Sequence, residues 1–140
     1  MEFSDGQDPY TRDDFKTEIE EAITRLEKAN DVAQEAVSFH LARASGLFFS
    51  RFGTMDEFMM ASEDVKMGYI EELNQREDEY AETDRFASYA FALFKMWVGT
   101  VIECDRELMV LFVERLGPFM NRGEKLILEL LDEEENENTH

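Results

Sequence analysis

The 140-residue sequence is poor in the residues that interrupt helices or cross-link chains, with one cysteine, two prolines and seven glycines. A single cysteine excludes an internal disulfide, so we expect a reducing, cytoplasmic setting. The first residues lack the basic region and apolar run of a signal peptide, so we expect none. Because few prolines and glycines leave long segments without helix breakers, the sequence predicts helices and no strands.

A long uninterrupted apolar run is also missing. The most apolar stretch, residues 86–102, contains Lys95 and several small or polar residues, and Glu103 follows it directly. A membrane-spanning helix needs about 20 predominantly apolar residues with few or no charges. The pattern therefore favours a buried core helix, and we expect no membrane partner.

Basic residues are scarce, since 14 Lys and Arg stand against 33 Asp and Glu, for a net charge of -19. The last segment, residues 126–140, contains acids and no base. Nucleic acids and anionic membranes are polyanions that need Lys and Arg to displace their counterions. This composition excludes direct nucleic-acid binding and predicts a protein partner with a basic surface.

The remaining composition is that of a folded chain, 44% hydrophobic with 12 Phe and 8 Met. A chain of this length closes one hydrophobic core. We expect a flexible arm at residues 1–10, a single helical domain at 11–131 and an acidic tail at 132–140. The predicted fold class is all-α, a four-helix bundle with long helices, short connections and acidic disordered termini.

Capping signals and breakers predict where the four helices begin and end. Thr11 caps the first helix, which we expect to continue as far as His40. Thr54 and Glu57 form a capping-box pattern at the start of the second. The third follows a turn near Asp84, and the pair Gly117 and Pro118 is expected to stop it. A short fourth helix is expected over residues 119–131.

The first predicted helix carries a heptad seam, with apolar residues spaced alternately four and three apart. Its alanines would let a partner backbone approach closely, and the seam would extend about 37 Å at 1.5 Å per residue. We therefore predict a homodimer. The residues expected to form the dimer seam are Ile19, Ala22, Leu26, Ala29 and Ala33.

No residue pattern for catalysis or cofactor binding is present. A di-metal carboxylate bundle needs Glu-x-x-His pairs, whereas Val37 precedes His40 at that spacing and His140 is the final residue. Phosphate-binding loops, paired zinc ligands and nucleophile elbows are absent. We expect Cys104 to be an inert thiol within the third helix, His40 to be a hydrogen-bonded core or interface residue, and the protein to be a non-enzyme without metal or cofactor.

Residues 36–55 contain no acid and combine arginines with phenylalanines, the residue types that interface centres favour. They are predicted to form a partner-binding segment, with Phe48 and Phe52 pointing inward and Phe49 and Arg51 outward. The alternative is that these phenylalanines simply cap the core of the bundle.

Two functional hypotheses follow. The first is an adaptor or chaperone-like protein that binds through apolar surface. The second is an acidic decoy that imitates nucleic acid and inhibits a DNA- or RNA-binding protein, as some mobile-element inhibitors do, because carboxylates four apart on a helix lie about 6 Å from each other. Solubility or a saline habitat would explain the same acids, and an undetected enzyme is a third possibility.

Overall fold

The computed structural model describes residues 11–138, and these form six helices and no strand. The all-helical class is confirmed, whereas the number of helices among the described residues is six rather than four. The predicted arm at residues 1–10 lies outside the described residues. The helices are Arg12–Glu27 (α1), Asp31–Phe52 (α2), Met55–Met60 (α3), Glu63–Tyr80 (α4), Arg85–Ile102 (α5) and Arg106–Asn138 (α6).

Each of the six described helices begins at a side chain that caps it. Each capping oxygen accepts a hydrogen bond from the backbone N–H three residues further on, which satisfies an amide that the helix leaves free. The predicted caps Thr11 and Thr54 are confirmed, and Thr11 forms a full capping box with Asp14. The six caps are Thr11, Asn30, Thr54, Ser62, Asp84 and Asp105.

The first predicted helix is broken in two, so its continuous seam to His40 was wrong. Asn30 caps a new helix, with its Oδ1 accepting from the Ala33 N–H at 2.9 Å. The Gln34 side chain donates to the carbonyls of Leu26 and Glu27, each at 3.1 Å. These polar contacts satisfy backbone groups that a continuous helix would have paired within itself. The alternating spacing of apolar residues therefore continues although the helix is interrupted.

The third predicted helix ends at Ile102, which makes the placement of Cys104 within a helix wrong. Cys104 is exposed, and its backbone adopts the left-handed conformation with a φ of 55°. The Asp105 N–H donates to the Thr100 carbonyl at 3.2 Å and the Cys104 N–H to the Val101 carbonyl at 3.0 Å, a common helix-ending arrangement. Helical spacing of Val101 and Leu108 hides this turn from sequence analysis.

Gly117 and Pro118 do not stop a helix, because α6 continues through both of them. The whole helix is 33 residues long, about 50 Å. The proline ring clashes with the Cβ of a preceding helical residue, and Gly117 has no Cβ. Proline still leaves the Glu114 carbonyl without its helical N–H donor. The neighbouring helix α2 contacts α6 after the proline, at Gly123, and shares a groove with Phe112 and Leu116 before it.

The second helix, α2, lies at the centre of the fold and packs against α5 on one side and α6 on another. The other face of α5 is covered by α4, and α1 contacts α2, α5 and α6. The most apolar stretch of the sequence is therefore α5 inside the core, as predicted. Within residues 11–138, no helix has the length and apolar character needed to cross a membrane.

The α2 and α6 backbones approach each other closely at Gly123, which is buried. A Cβ at this position would lie 1.9 Å from the Ser38 carbonyl oxygen and 2.9 Å from the Ala42 Cβ. The contact is made by Ser38 and Ala42 of α2 with α6 of the same chain, and neither residue belongs to the predicted dimer seam.

Gly123→Ala is expected to destabilise the protein by about 3 kcal/mol or more, because backbone atoms must move to admit the new methyl group. Gly46→Ala on α2 is the control, since a Cβ there meets nothing within 4 Å. Replacing a helical glycine with alanine should raise stability by about 1 kcal/mol. Thermal denaturation followed by circular dichroism measures both effects, and equal melting temperatures would contradict the close contact.

Cys104→Gly is expected to stabilise the protein by about 1 kcal/mol, because glycine adopts the left-handed conformation without the cost of a Cβ. Cys104→Ala removes the thiol but keeps the Cβ, so its unfolding midpoint in urea should stay close to that of the wild type. If the alanine variant gained as much stability as the glycine variant, the gain would come from loss of the thiol rather than from the backbone.

Candidate partner-binding site

Phe48, from the predicted partner-binding segment, belongs to the core and is 1% exposed. Its ring centroid lies 5.0 Å from that of Phe58 and 5.9 Å from that of Phe94. Phe52 is half-buried at the edge of the same cluster, 4.8 Å from Phe58. Burial in this cluster raises the pKa of Tyr69 to about 12. These two phenylalanines therefore point inward, as predicted.

Arg51 is exposed but has partners within the chain. It forms an ion pair with Glu72 of α4. Its guanidinium carbon lies 5.3 Å from the ring centroid of Phe52 and 5.5 Å from that of Tyr69, within the range of cation–π attraction. Arg51 therefore covers the side of the aromatic cluster that faces α4.

Phe49 is 43% exposed and lies on a different face of α2, towards α6. It lines an open groove of about 220 Å³ between α2, α3, α5 and α6, which we call the Trp97 groove. The four predicted partner-binding residues thus do not form one patch, since only Phe49 reaches this groove. The groove is lined by Ser45, Phe49, Met55, Phe94, Trp97, Phe112, Val113, Leu116, Gly117, Met120 and Asn121.

None of the residues that line the Trp97 groove carries a charge, although the chain has a net charge of -19. Trp97 packs edge-on against Phe112 with ring centroids 5.7 Å apart, and Val113 on the rim is 63% exposed. Methionine and aromatic side chains provide adaptable apolar contacts at protein-binding surfaces. The volume is below the roughly 300–1,000 Å³ of small-molecule pockets, and it suits a single inserted apolar side chain.

Sequence analysis missed Trp97, Val113 and Met120 as members of one site. The expected helix stop at Pro118 assigned Val113 and Met120 to different helices. A helical pattern continued through the proline would have placed them on one face, seven residues apart. Trp97 was read as a core position, and only the packing of α5 against α6 shows that its side chain is half-buried beside a groove.

The residues of the predicted dimer seam lie in several environments within the single chain. Ile19 and Leu26 belong to its own hydrophobic core, at 0% and 1% exposure. Ala22 and Ala29 of the first segment and Ala33 of α2 are half-buried. The Ala22 carbonyl also accepts a hydrogen bond from the Tyr89 hydroxyl of α5. A second copy would therefore meet only the alanines of this seam without rearrangement of the core.

His40 lies on α2 and is largely buried beside the start of α5. Its Nε2 lies 3.4 Å from Asp84 Oδ2. Burial lowers the pKa of His40, and the nearby Asp84 carboxylate partly opposes this shift. The buried Nδ1 has no hydrogen-bond partner among the described residues. Over residues 11–138, no group of three or more His, Cys, Asp or Glu is arranged to hold a metal ion.

Comparisons of the chain with protein-family models, with curated proteins and with solved structures gave no match.

Phe48→Ala is expected to lower the free energy of unfolding by about 3–5 kcal/mol, because it leaves a cavity at the centre of the aromatic cluster. Phe49→Ala is the matched control one residue away, and it should cost less than about 1 kcal/mol because the side chain is part exposed. Urea denaturation monitored by circular dichroism measures both values. Similar losses for the two variants would contradict the assigned orientations.

Proposed function

We propose that this protein is a non-enzymatic, adaptor or chaperone-like binding module. Its Trp97 groove would accept an apolar side chain from a helix of the partner protein. The observation that supports this proposal is an open, uncharged, aromatic and methionine-lined groove in a chain of net charge -19. Burying one Leu or Phe side chain there would contribute about 1.5–3 kcal/mol to binding. Such anchor side chains dominate the energetics of many interfaces.

The expected occupant is an amphipathic helix from a partner with a basic surface. The groove runs beside the antiparallel pair α2 and α6. Its walls include Phe49, Val113 and Met120, and it is an open trough rather than an enclosed cavity. Helices bind such troughs through apolar residues on one face. The net charge of the chain, -19, would attract a basic partner and repel a second copy of this chain.

The second candidate function is the acidic decoy. The observation that favours it is the arrangement of exposed carboxylates four residues apart, at Asp31 and Glu35 on α2 and at Glu129 and Glu133 on α6. Such rows offer regularly spaced negative charge to a nucleic-acid-binding protein. Decoy binding would weaken steeply as salt is raised, whereas insertion into the uncharged groove would not.

The single tryptophan of the chain lies in the groove, so its fluorescence reports occupancy directly. The probe is a synthetic 18-residue helix with leucines on one face and glutamine and serine on the other. We expect saturable binding with a blue shift of Trp97 emission. Val113→Glu should weaken binding about tenfold or more, which corresponds to about 1.4 kcal/mol, because it places a charge on the groove rim.

Val65→Glu provides the control, since this valine is 43% exposed on α4 and does not line the groove. It should leave peptide affinity within about twofold of the wild type, and surface variants of this kind should barely change stability. An absent emission shift, or equal losses in both variants, would contradict the proposal. A Trp97 shift that grows with protein concentration alone, with doubled mass in light scattering, would identify a second copy as the occupant.

A further inference from the structure

A second groove separates α2 from α6 on the other side of the Gly123 contact. Its volume is about 650 Å³, and we call it the acidic groove. The first turns of α2 and the part of α6 after Gly123 form its walls. The apolar residues along it are Val32, Ala36, Phe39, Leu126 and Leu130.

Two of these apolar side chains are strongly exposed, Val32 at 74% and Leu130 at 49%. They lie on opposite walls, one on each helix, so both walls of the groove expose apolar surface. Large apolar side chains that remain in water on both walls of a trough mark a surface that gains free energy when it is covered.

Carboxylates border this apolar surface on both sides. Asp31 and Glu35 lie one turn apart on α2, and Glu129 and Glu133 lie one turn apart on α6. The Glu35 Oε2 lies 3.3 Å from the Arg122 Nη2, so these two side chains form an ion pair. The other three carboxylates have no ion-pair partner among residues 11–138. The groove therefore presents an apolar strip between two negatively charged edges.

We propose that the acidic groove docks an amphipathic helix of a partner protein that carries Lys or Arg on both sides of an apolar stripe. The apolar stripe would cover Val32 and Leu130, and the flanking cations would lie opposite the two carboxylate pairs. This arrangement satisfies the rule that charged rims give orientation and selectivity while apolar contacts give binding energy. The proposal concerns a different surface from the Trp97 groove and does not depend on it.

Charge also decides against the other occupants. A second copy would bring a further net charge of -19 against these carboxylates, and nucleic acid or an anionic membrane would be repelled in the same way. A basic helix removes this repulsion and replaces it with attraction. Because exposed charges are screened within about 8 Å at physiological salt, the attraction must come from the carboxylates that border the groove itself.

The experiment measures fluorescence anisotropy of a labelled 18-residue amphipathic peptide with a leucine stripe flanked on both sides by lysines. The full chain should bind it, and affinity should fall about tenfold or more between roughly 50 and 300 mM salt, because the contacts are charged. A peptide of the same stripe with glutamates in place of the lysines should not bind. Equal binding of the glutamate peptide would overturn the proposal.

Glu129→Lys combined with Glu133→Lys should weaken the lysine peptide about tenfold or more. Glu71→Lys combined with Asp78→Lys on the exposed face of α4 makes the same change in net charge away from the groove. This control pair should stay within about twofold of the wild type. If both pairs weakened the peptide equally, the interaction would depend on overall charge, and the groove would not be the site.

A second matched pair tests the apolar contact on one helix. Leu130→Gln changes a leucine that lines the groove, whereas Leu128→Gln changes one that is 61% exposed outside it. Only the first should weaken binding. Loss of binding in Val113→Glu, with retention in the Glu129 and Glu133 variant, would place the peptide in the Trp97 groove and overturn this proposal. A doubled mass without peptide, abolished by Leu130→Gln, would also overturn it.

Discussion

The contact between Gly123 of α6 and Ser38 of α2 is the constraint on which the surface of this protein depends. The carbonyl oxygen of Ser38 occupies the place that a side chain at position 123 would need, so the two backbones lie close together here. Helices that cross at an angle separate on either side of their closest point. The Trp97 groove and the acidic groove lie on the two sides of this contact along the helix pair. Both surfaces therefore flank a contact that leaves no room for a side chain at position 123.

The position of α2 explains why residues 36–55 contain no acid. This helix packs against α5 and α6, and its buried residues include Val37, Leu41 and Phe48. An unpaired carboxylate at such positions would lose its hydration without compensation. The absence of acids that suggested a binding segment is therefore largely a consequence of central packing. Of the four predicted partner-binding residues, Phe49 alone lines the uncharged groove.

Errors in the predicted helix boundaries have a common physical origin. Apolar periodicity reports which residues face the core, and it continues unchanged when a turn returns the chain to the same core. This happened at Asn30 and again at Cys104, where the turns preserve the helical spacing of buried residues on both sides. Pro118 gave the opposite error, because Gly117 removes the local clash and α6 continues through the proline.

Composition and periodicity by themselves determined the helical class, the caps at Thr11 and Thr54, and the inward direction of Phe48 and Phe52. These features depend on local backbone chemistry and on burial, which a single sequence records. The partners of each helix, the break in the first seam and the meeting of Trp97 with Val113 and Met120 were decided only by the tertiary structure. They depend on which backbones can approach one another, as at Gly123 of α6 and Ser38 of α2.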